Sequence, residues 1–176
     1  MEPKELHQRV ADLAGTAAKE VFETMLGIPV KVADHYLDHK DPRPQEGIVS
    51  LIGLVGSWIG TGSICCPSDT AWKLCSRMLM TEFNSVNEDV LDGMAELTNM
   101  IIGNVKTGLE EDMGPMGLSI PTVIFGRNFE TRSVGNGEWT IIPLECEDGP
   151  VNILVCLAPN REGRTIQRFW MAGVRA

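Results

Sequence analysis

Glu96 and Asn99 stand three residues apart in the stretch AELTNMIIGNVKTGLE, residues 95–110. The stretch reads as an amphipathic helix, on which residues three apart are neighbours. At about 100° per residue, Val90, Met94, Leu97, Thr98, Ile101 and Val105 form its apolar face, and Asp92, Glu96, Asn99 and Gly103 fall roughly opposite. Carboxylates on a solvated face need no explanation. Asn99 is a mediocre helix former, and Gly103 costs on the order of 1 kcal/mol relative to Ala. The stripe thus gives up helix propensity twice. Small and amide side chains in line would let another surface approach closely and receive a directed hydrogen bond. From the residues alone, a solvated face with no functional role is the competing reading.

The elements that must position this stripe follow from periodicity and turn chemistry. Residues 4–26 read as a helix, with Val10, Ala14, Ala18, Val21, Phe22 and Met25 at helical spacing and Gly27 and Pro29 as stops. The polar, proline-bearing HYLDHKDPRPQEG (35–47) reads as a loop or linker. IVSLIGLVGSWIGTGSICC (48–66) suggests a strand pair or bent strands with tight turns. A helix from Ser68, its candidate cap, to Leu79 would bury Ala71, Trp72, Cys75, Met78 and Leu79. The stripe-bearing helix runs from about Glu88 to Leu109, capped by Asn87. Strands are expected over 120–126, 138–146 and 151–158, the last two forming a hairpin around EDGP. The final RTIQRFWMAGVRA fits a last strand or a tail.

Two segments match in register. AKEVFETMLG (18–27) lies against MAELTNMIIG (94–103), pairing Glu20 with Glu96, Val21 with Leu97, Met25 with Ile101 and Gly27 with Gly103. Each precedes strand-like segments, as two copies of a helix–strand–strand unit would; a chance coincidence of two helices is the alternative. The chain then reads as one domain over 1–176, with a degenerate first half at about 4–80 and a second half at about 85–160 that carries the motif. Glu23 takes the place of Asn99 in the first copy. A carboxylate has no hydrogen to donate, so the first half lacks the Glu–Asn pair.

Composition narrows the class. The 176 residues are 43% hydrophobic and 22% charged, the balance of a soluble globular chain. A net charge of −9 argues against nucleic acid and against an anionic membrane as partners. No long apolar run or leader is evident, so a cytoplasmic location is expected. Cys65, Cys66, Cys75, Cys146 and Cys156 are odd in number and read as reduced structural thiols. In a strand, Cys65 and Cys66 would face opposite ways.

Asp92-xxx-Glu96-xx-Asn99, followed by IIGN, KTGL and SIPTVIFG with Pro121, resembles the motif of the CheC/CheX/FliY family of chemotaxis phosphatases, most closely its CheX branch. GLVGSWIGTGSICCPSDTAWKLCSRML resembles the strand-turn-strand-helix between that family's long helices, and the likeness spans roughly residues 10–158. It implies an α/β (α+β) fold of two layers, long helices on a mostly antiparallel sheet, with pseudo-twofold internal symmetry. It also implies a phosphatase acting on the aspartyl-phosphate of a CheY-type receiver domain, or a non-catalytic adaptor for a receiver or flagellar-switch partner. Under this resemblance Asn99 positions water, and Glu96 pairs with a receiver lysine. Asp92 and Gly103 serve partner binding, and Pro121 shapes the chain after the helix. No cofactor of its own is implied, since Mg2+ would arrive in the receiver; a homodimer is.

Weaker signals have plainer explanations. His35, Asp38 and His39 would share a face only in a helix, which the neighbouring prolines oppose, so no metal site is expected. The glycines of GLVGSWIGTGS lack the Lys-Ser/Thr of a phosphate loop and read as hairpin or packing positions. Trp58, Trp72, Trp139 and Trp170 read as core or interface anchors rather than a ligand cage.

Overall fold

The computed structural model describes residues 3–38, 46–127 and 138–160. Helix α1 (Pro3–Val21) passes into a π-helical turn, Phe22–Leu26, and strands β1 (Lys31–Val32) and β2 (Tyr36–Asp38) follow. Then come β3 (Glu46–Gly56), β4 (Trp58–Pro67), α2 (Ser68–Leu79) and α3 (Glu88–Met113). The chain continues with β5 (Met116–Leu118), β6 (Thr122–Arg127), β7 (Trp139–Cys146) and β8 (Gly149–Pro159). One antiparallel sheet has the order β1-β7-β8-β4-β3-β5, with β2 also on β7 and β6 also on β3. Its path reads alike from either end: the central pair is β4 and β8, and each half lends its short strands to the other half's hairpin. The two outer edges also share a defect. On one edge, the three-residue step from Leu54 to Leu51 faces the four-residue step from Leu118 to Thr122. On the other, Leu144 to Ile141 faces Val32 to Tyr36. Each is one extra residue in the outer strand, a bulge.

The helices cover one face of the sheet. Ile48, Ile52, Ile64, Ile142 and Ile153 meet Val10, Ala14, Phe22, Val90, Met94, Leu97 and Ile101 in the main core. A second, smaller apolar cluster on the other face holds Val49, Cys65, Trp139, Ile141, Leu154 and Cys156. Cys66 belongs to the first cluster and Cys65 to the second, as strand alternation requires. Burial pushes the Cys75 thiol up to about 12 and raises those of Cys66 and Cys156, so these thiols are held protonated and unreactive.

Several sequence expectations change. The first helix stays α-helical only to Val21; the Phe22 carbonyl then accepts from Gly27, which has φ +68, and from Ile28 at 3.2 Å. Met25 in this turn and Leu79 at the end of α2 are exposed rather than buried. Ser68 is not a cap: Pro67 occupies that position, and the Ser68 hydroxyl is buried without a partner. Within the expected loop, Tyr36–Asp38 is a strand on β7, which removes the helical face that His35 and Asp38 would need. Helix α3 runs four residues past Leu109, and β5 arises inside the glycine-rich segment after it. His39, Trp170 and the C-terminal segment lie outside the described residues.

His7 links α1 to the sheet, its Nδ1 lying 2.6 Å from the Thr140 hydroxyl and its Nε2 3.4 Å from Glu138. Burial lowers its pKa from 6.5, reinforced by His35 and opposed by Glu138. The folded chain therefore takes up this proton less readily than the unfolded chain. Stability from neutral His7 is complete above about pH 6.5 and drains as the pH falls toward the lower folded value. We expect urea midpoints to fall between pH 7.5 and 5.5, and His7→Gln to flatten that decline.

Candidate functional site

Helix α3 is 26 residues long, and its stripe is fixed by what lies beneath it. The Asn87 side chain caps the start by accepting from Val90 N–H at 3.0 Å, a cap worth about 1 kcal/mol. Met94, Leu97, Thr98, Ile101, Ile102 and Val105 are buried to 1% exposure or less. This anchoring leaves the helix one rotational setting, with Asp92, Glu96 and Asn99 all outward and exposed. Close packing holds that setting. A Cβ on Gly93 would come within 2.8 Å of Cys75 Sγ on α2, and one on Gly62 within 2.6 Å of Ile102. Arg9 of α1 donates to Asp112 at 2.9 Å, tying down the far end.

The expected pair is thus brought together on a rigid element. The side chains of Asp92, Glu96 and Asn99 have no hydrogen bond or ion pair within the described residues. Some other carboxylates do have internal cations: Asp69 has Lys73, Glu110 has Lys106, and Glu147 and Asp148 have Arg77. An unpartnered Glu and Asn one turn apart are free to engage a group from outside. Among the described residues, no three His, Cys, Asp or Glu side chains gather as a metal site would need.

Gly103 continues the stripe and is half-buried. A Cβ there would meet only Leu118 Cδ1 at 3.9 Å, an ordinary contact. Internal packing does not demand glycine at this position, in contrast to Gly62, Gly93 and Gly108. We expect Gly103→Ala to raise stability by up to about 1 kcal/mol, read from chemical denaturation. If clearance is its role, the same change will weaken docking of a partner.

Pro121 lies beyond the stripe, in the bulge between β5 and β6. Ser119 exchanges hydrogen bonds with Gly53 through its own N–H (2.9 Å) and its hydroxyl, which accepts from Gly53 N–H at 2.8 Å. The ladder then breaks, and a proline is tolerated there because it has no N–H to offer. It shapes an edge strand rather than the helix C-terminus. In the first half, Glu20 and Glu23 are exposed, but Glu23 sits in the π-helical turn, so the geometry of the second-half pair is not reproduced.

A feature beside the stripe was not foreseen in the sequence. Beside Asp89, Asp92 and Glu96 lies a shallow concavity of about 450 Å³, walled by Met25, Met78, Leu79, Gly93 and Met100. Met25, Leu79 and the adjoining Met80 are exposed. The available signal was the spacing of methionines in SRMLMTE, with no glycine to end the helix.

The structure thus combines an antiparallel sheet of near-symmetric path, long helices on one face, and an outward Glu–Asn pair on the longest of them, with only a shallow concavity beside it. The family model of the chemotaxis phosphatase CheX matches residues 48–145, and the chain belongs to that family. It is 33% identical over 117 residues to the CheY-P phosphatase CheX of Thermotoga maritima, covering 66% of this chain and 75% of that protein. The crystal structure of chemotaxis protein CheX from Vibrio vulnificus is similar at a TM-score of 0.75 and 27% identity, covering 85% of this chain and 99% of that one. A CheX–CheY–BeF3–Mg2+ complex from Borrelia burgdorferi shares the fold at a TM-score of 0.70 and 22% identity, over 85% of this chain and 96% of that one. No described helix is long and apolar enough to cross a membrane.

Proposed function

We propose that this protein is a phosphatase that hydrolyses the aspartyl-phosphate of a CheY-type receiver domain. The observation that carries the reading is the outward, unpartnered Glu96–Asn99 pair on a rigid helix, in a chain 33% identical to a CheY-P phosphatase. An oxygen of water attacks phosphorus, the bond from phosphorus to the aspartyl oxygen breaks, and phosphate and a free carboxylate result. The loose transition state of phosphoryl transfer demands little activation of the nucleophile, so position matters more than basicity. The Asn99 carboxamide can supply that positioning, because its oxygen accepts from the water while its NH2 donates to a phosphoryl oxygen. Glu96, one turn away, pairs with the receiver's lysine and sets the docking register. Asp92 acts at the rim, and Gly103 gives clearance. Mg2+ belongs to the receiver, where it neutralises phosphoryl charge; this chain contributes no ligand to it.

The reading places the protein in the cytoplasm with its receiver, and as a homodimer whose sheet edges pair between chains. It also treats the halves, about 4–80 and 85–160, as products of duplication. The shared sheet path and the matching edge bulges support that history. The test is the decay of a magnesium-loaded, phosphorylated CheY-type receiver, with and without this protein. Faster release of phosphate supports the phosphatase. Binding of the phosphorylated receiver without faster release would make the protein an adaptor.

A further inference from the structure

Met80 is an anomaly in two independent ways. It is 93% exposed, and at φ +51 it is the non-glycine residue with a left-handed backbone among the described residues. It ends α2 where glycine is the usual solution, its N–H reaching the Arg77 carbonyl at 3.3 Å while Thr81 N–H reaches Ser76 at 3.2 Å. Glycine would relieve the backbone and remove apolar surface from water at once. A bulky thioether kept in a strained, solvent-filled position points to a role outside the chain. Two other apolar residues share that exposure: Leu79, 43% exposed, precedes Met80 directly, and Met25, 46% exposed, sits in the π-helical turn. Met25, Met78, Leu79 and Met100 wall the concavity whose remaining side is the Asp89–Asp92–Glu96 row.

We propose that this methionine patch, with Met80 at its tip, is a docking surface that seats the apolar part of the receiver while Glu96 takes its lysine. The inference rests on the phosphatase reading above and adds residues that the Glu–Asn motif does not contain. Charge decides the occupant. A second copy seated here about a twofold axis would set the Asp89, Asp92 and Glu96 carboxylates against their own images, and none has an internal cation. A receiver face that carries apolar residues beside a lysine complements both parts. Flexible thioethers can mould to such a face without a fixed shape of their own.

The test uses the full chain, the Met80→Gly and Met25→Gln variants, and phosphorylated receiver over a range of concentrations. Each variant is expected to raise the receiver concentration at half-maximal rate about tenfold, with the saturating rate retained. Met80→Gly is expected to unfold at a higher temperature than the parent, so its weaker docking cannot be ascribed to damage. Unchanged half-saturation in both variants, with acceleration by the parent protein intact, overturns the docking surface and leaves the phosphatase standing. No acceleration by the parent, and no binding of the receiver, overturns both. A fall in molecular mass of the variants in sedimentation would make a second copy the occupant and likewise overturn the proposal.

Discussion

An Asn99→Ala variant is expected to fold as the parent does and to lose its acceleration of receiver dephosphorylation by about 100-fold or more. The loss follows from what the amide does and from what else is available to do it. The carboxamide both accepts from water and donates to the phosphoryl group, and Ala can do neither. Its neighbours on the stripe are Asp92, Glu96 and Gly103, none of which has an amide to do both. Asn99→Asp keeps the shape but adds a charge that repels the phosphoryl oxygens, so it should fail as well. Stability should move the other way. The Asn99 side chain is exposed and has no hydrogen-bond partner in the described residues, so Ala is expected to gain up to about 0.7 kcal/mol of helix propensity. Stopped-flow phosphate release, paired with thermal unfolding of the same samples, reads both. A Glu96→Gln variant should separate from it in kind: the neutral amide keeps the size but loses the pairing with lysine. It should therefore raise the half-saturating receiver concentration more than it lowers the saturating rate. Full activity in Asn99→Ala would remove the pair from the mechanism.

The helix that carries the site was legible because its two faces differ so sharply. The buried residues from Val90 to Val105 are those that a 3.6-residue period selects, and the stripe opposite is what remains. The hairpins were legible for the same reason, since apolar runs met turn residues at both ends. What escaped was decided by tertiary contact. Tyr36–Asp38 is a strand only because β7 offers it an edge, and Met116–Leu118 only because β3 does. Neither three-residue segment carries a period of its own. Ser68 looked like a cap, but Pro67 precedes it, with its φ already fixed, and takes that place. Met25 and Leu79 have helical spacing consistent with a core, yet one falls in a π-helical turn and the other in the last turn of α2. Helical phase was a sound guide where a helix was regular, and it failed at the ends, where the methionine patch is built.

A large expected effect on stability that bears directly on the site lies beneath it, at Gly62 of β4. Gly62→Val is expected to destabilise the fold by about 3 kcal/mol and to displace α3 from the sheet. A Cβ at this position would stand 2.6 Å from Cγ2, 2.8 Å from Cδ1 and 2.9 Å from Cγ1 of Ile102, far inside the roughly 3.5–4 Å at which carbons attract. Ile102 is fully buried, so it has little room to retreat. Strand propensity works in the opposite direction, because valine favours strands and glycine does not. Destabilisation would therefore report the contact with the helix rather than a weakened strand. The companion change Ile102→Ala should cost about 2–5 kcal/mol alone, through the cavity it leaves. Together the two should cost at least about 1 kcal/mol less than their sum, since the valine fills part of that cavity. Strict additivity in urea unfolding would show that the helix does not rest on this point. Ile102 follows Asn99 by three residues on the same rigid helix, so a displaced α3 misplaces the carboxamide too. Gly62→Val should thus lose phosphatase activity even in conditions where it remains folded, and Ile102→Ala added to it should restore part of that loss.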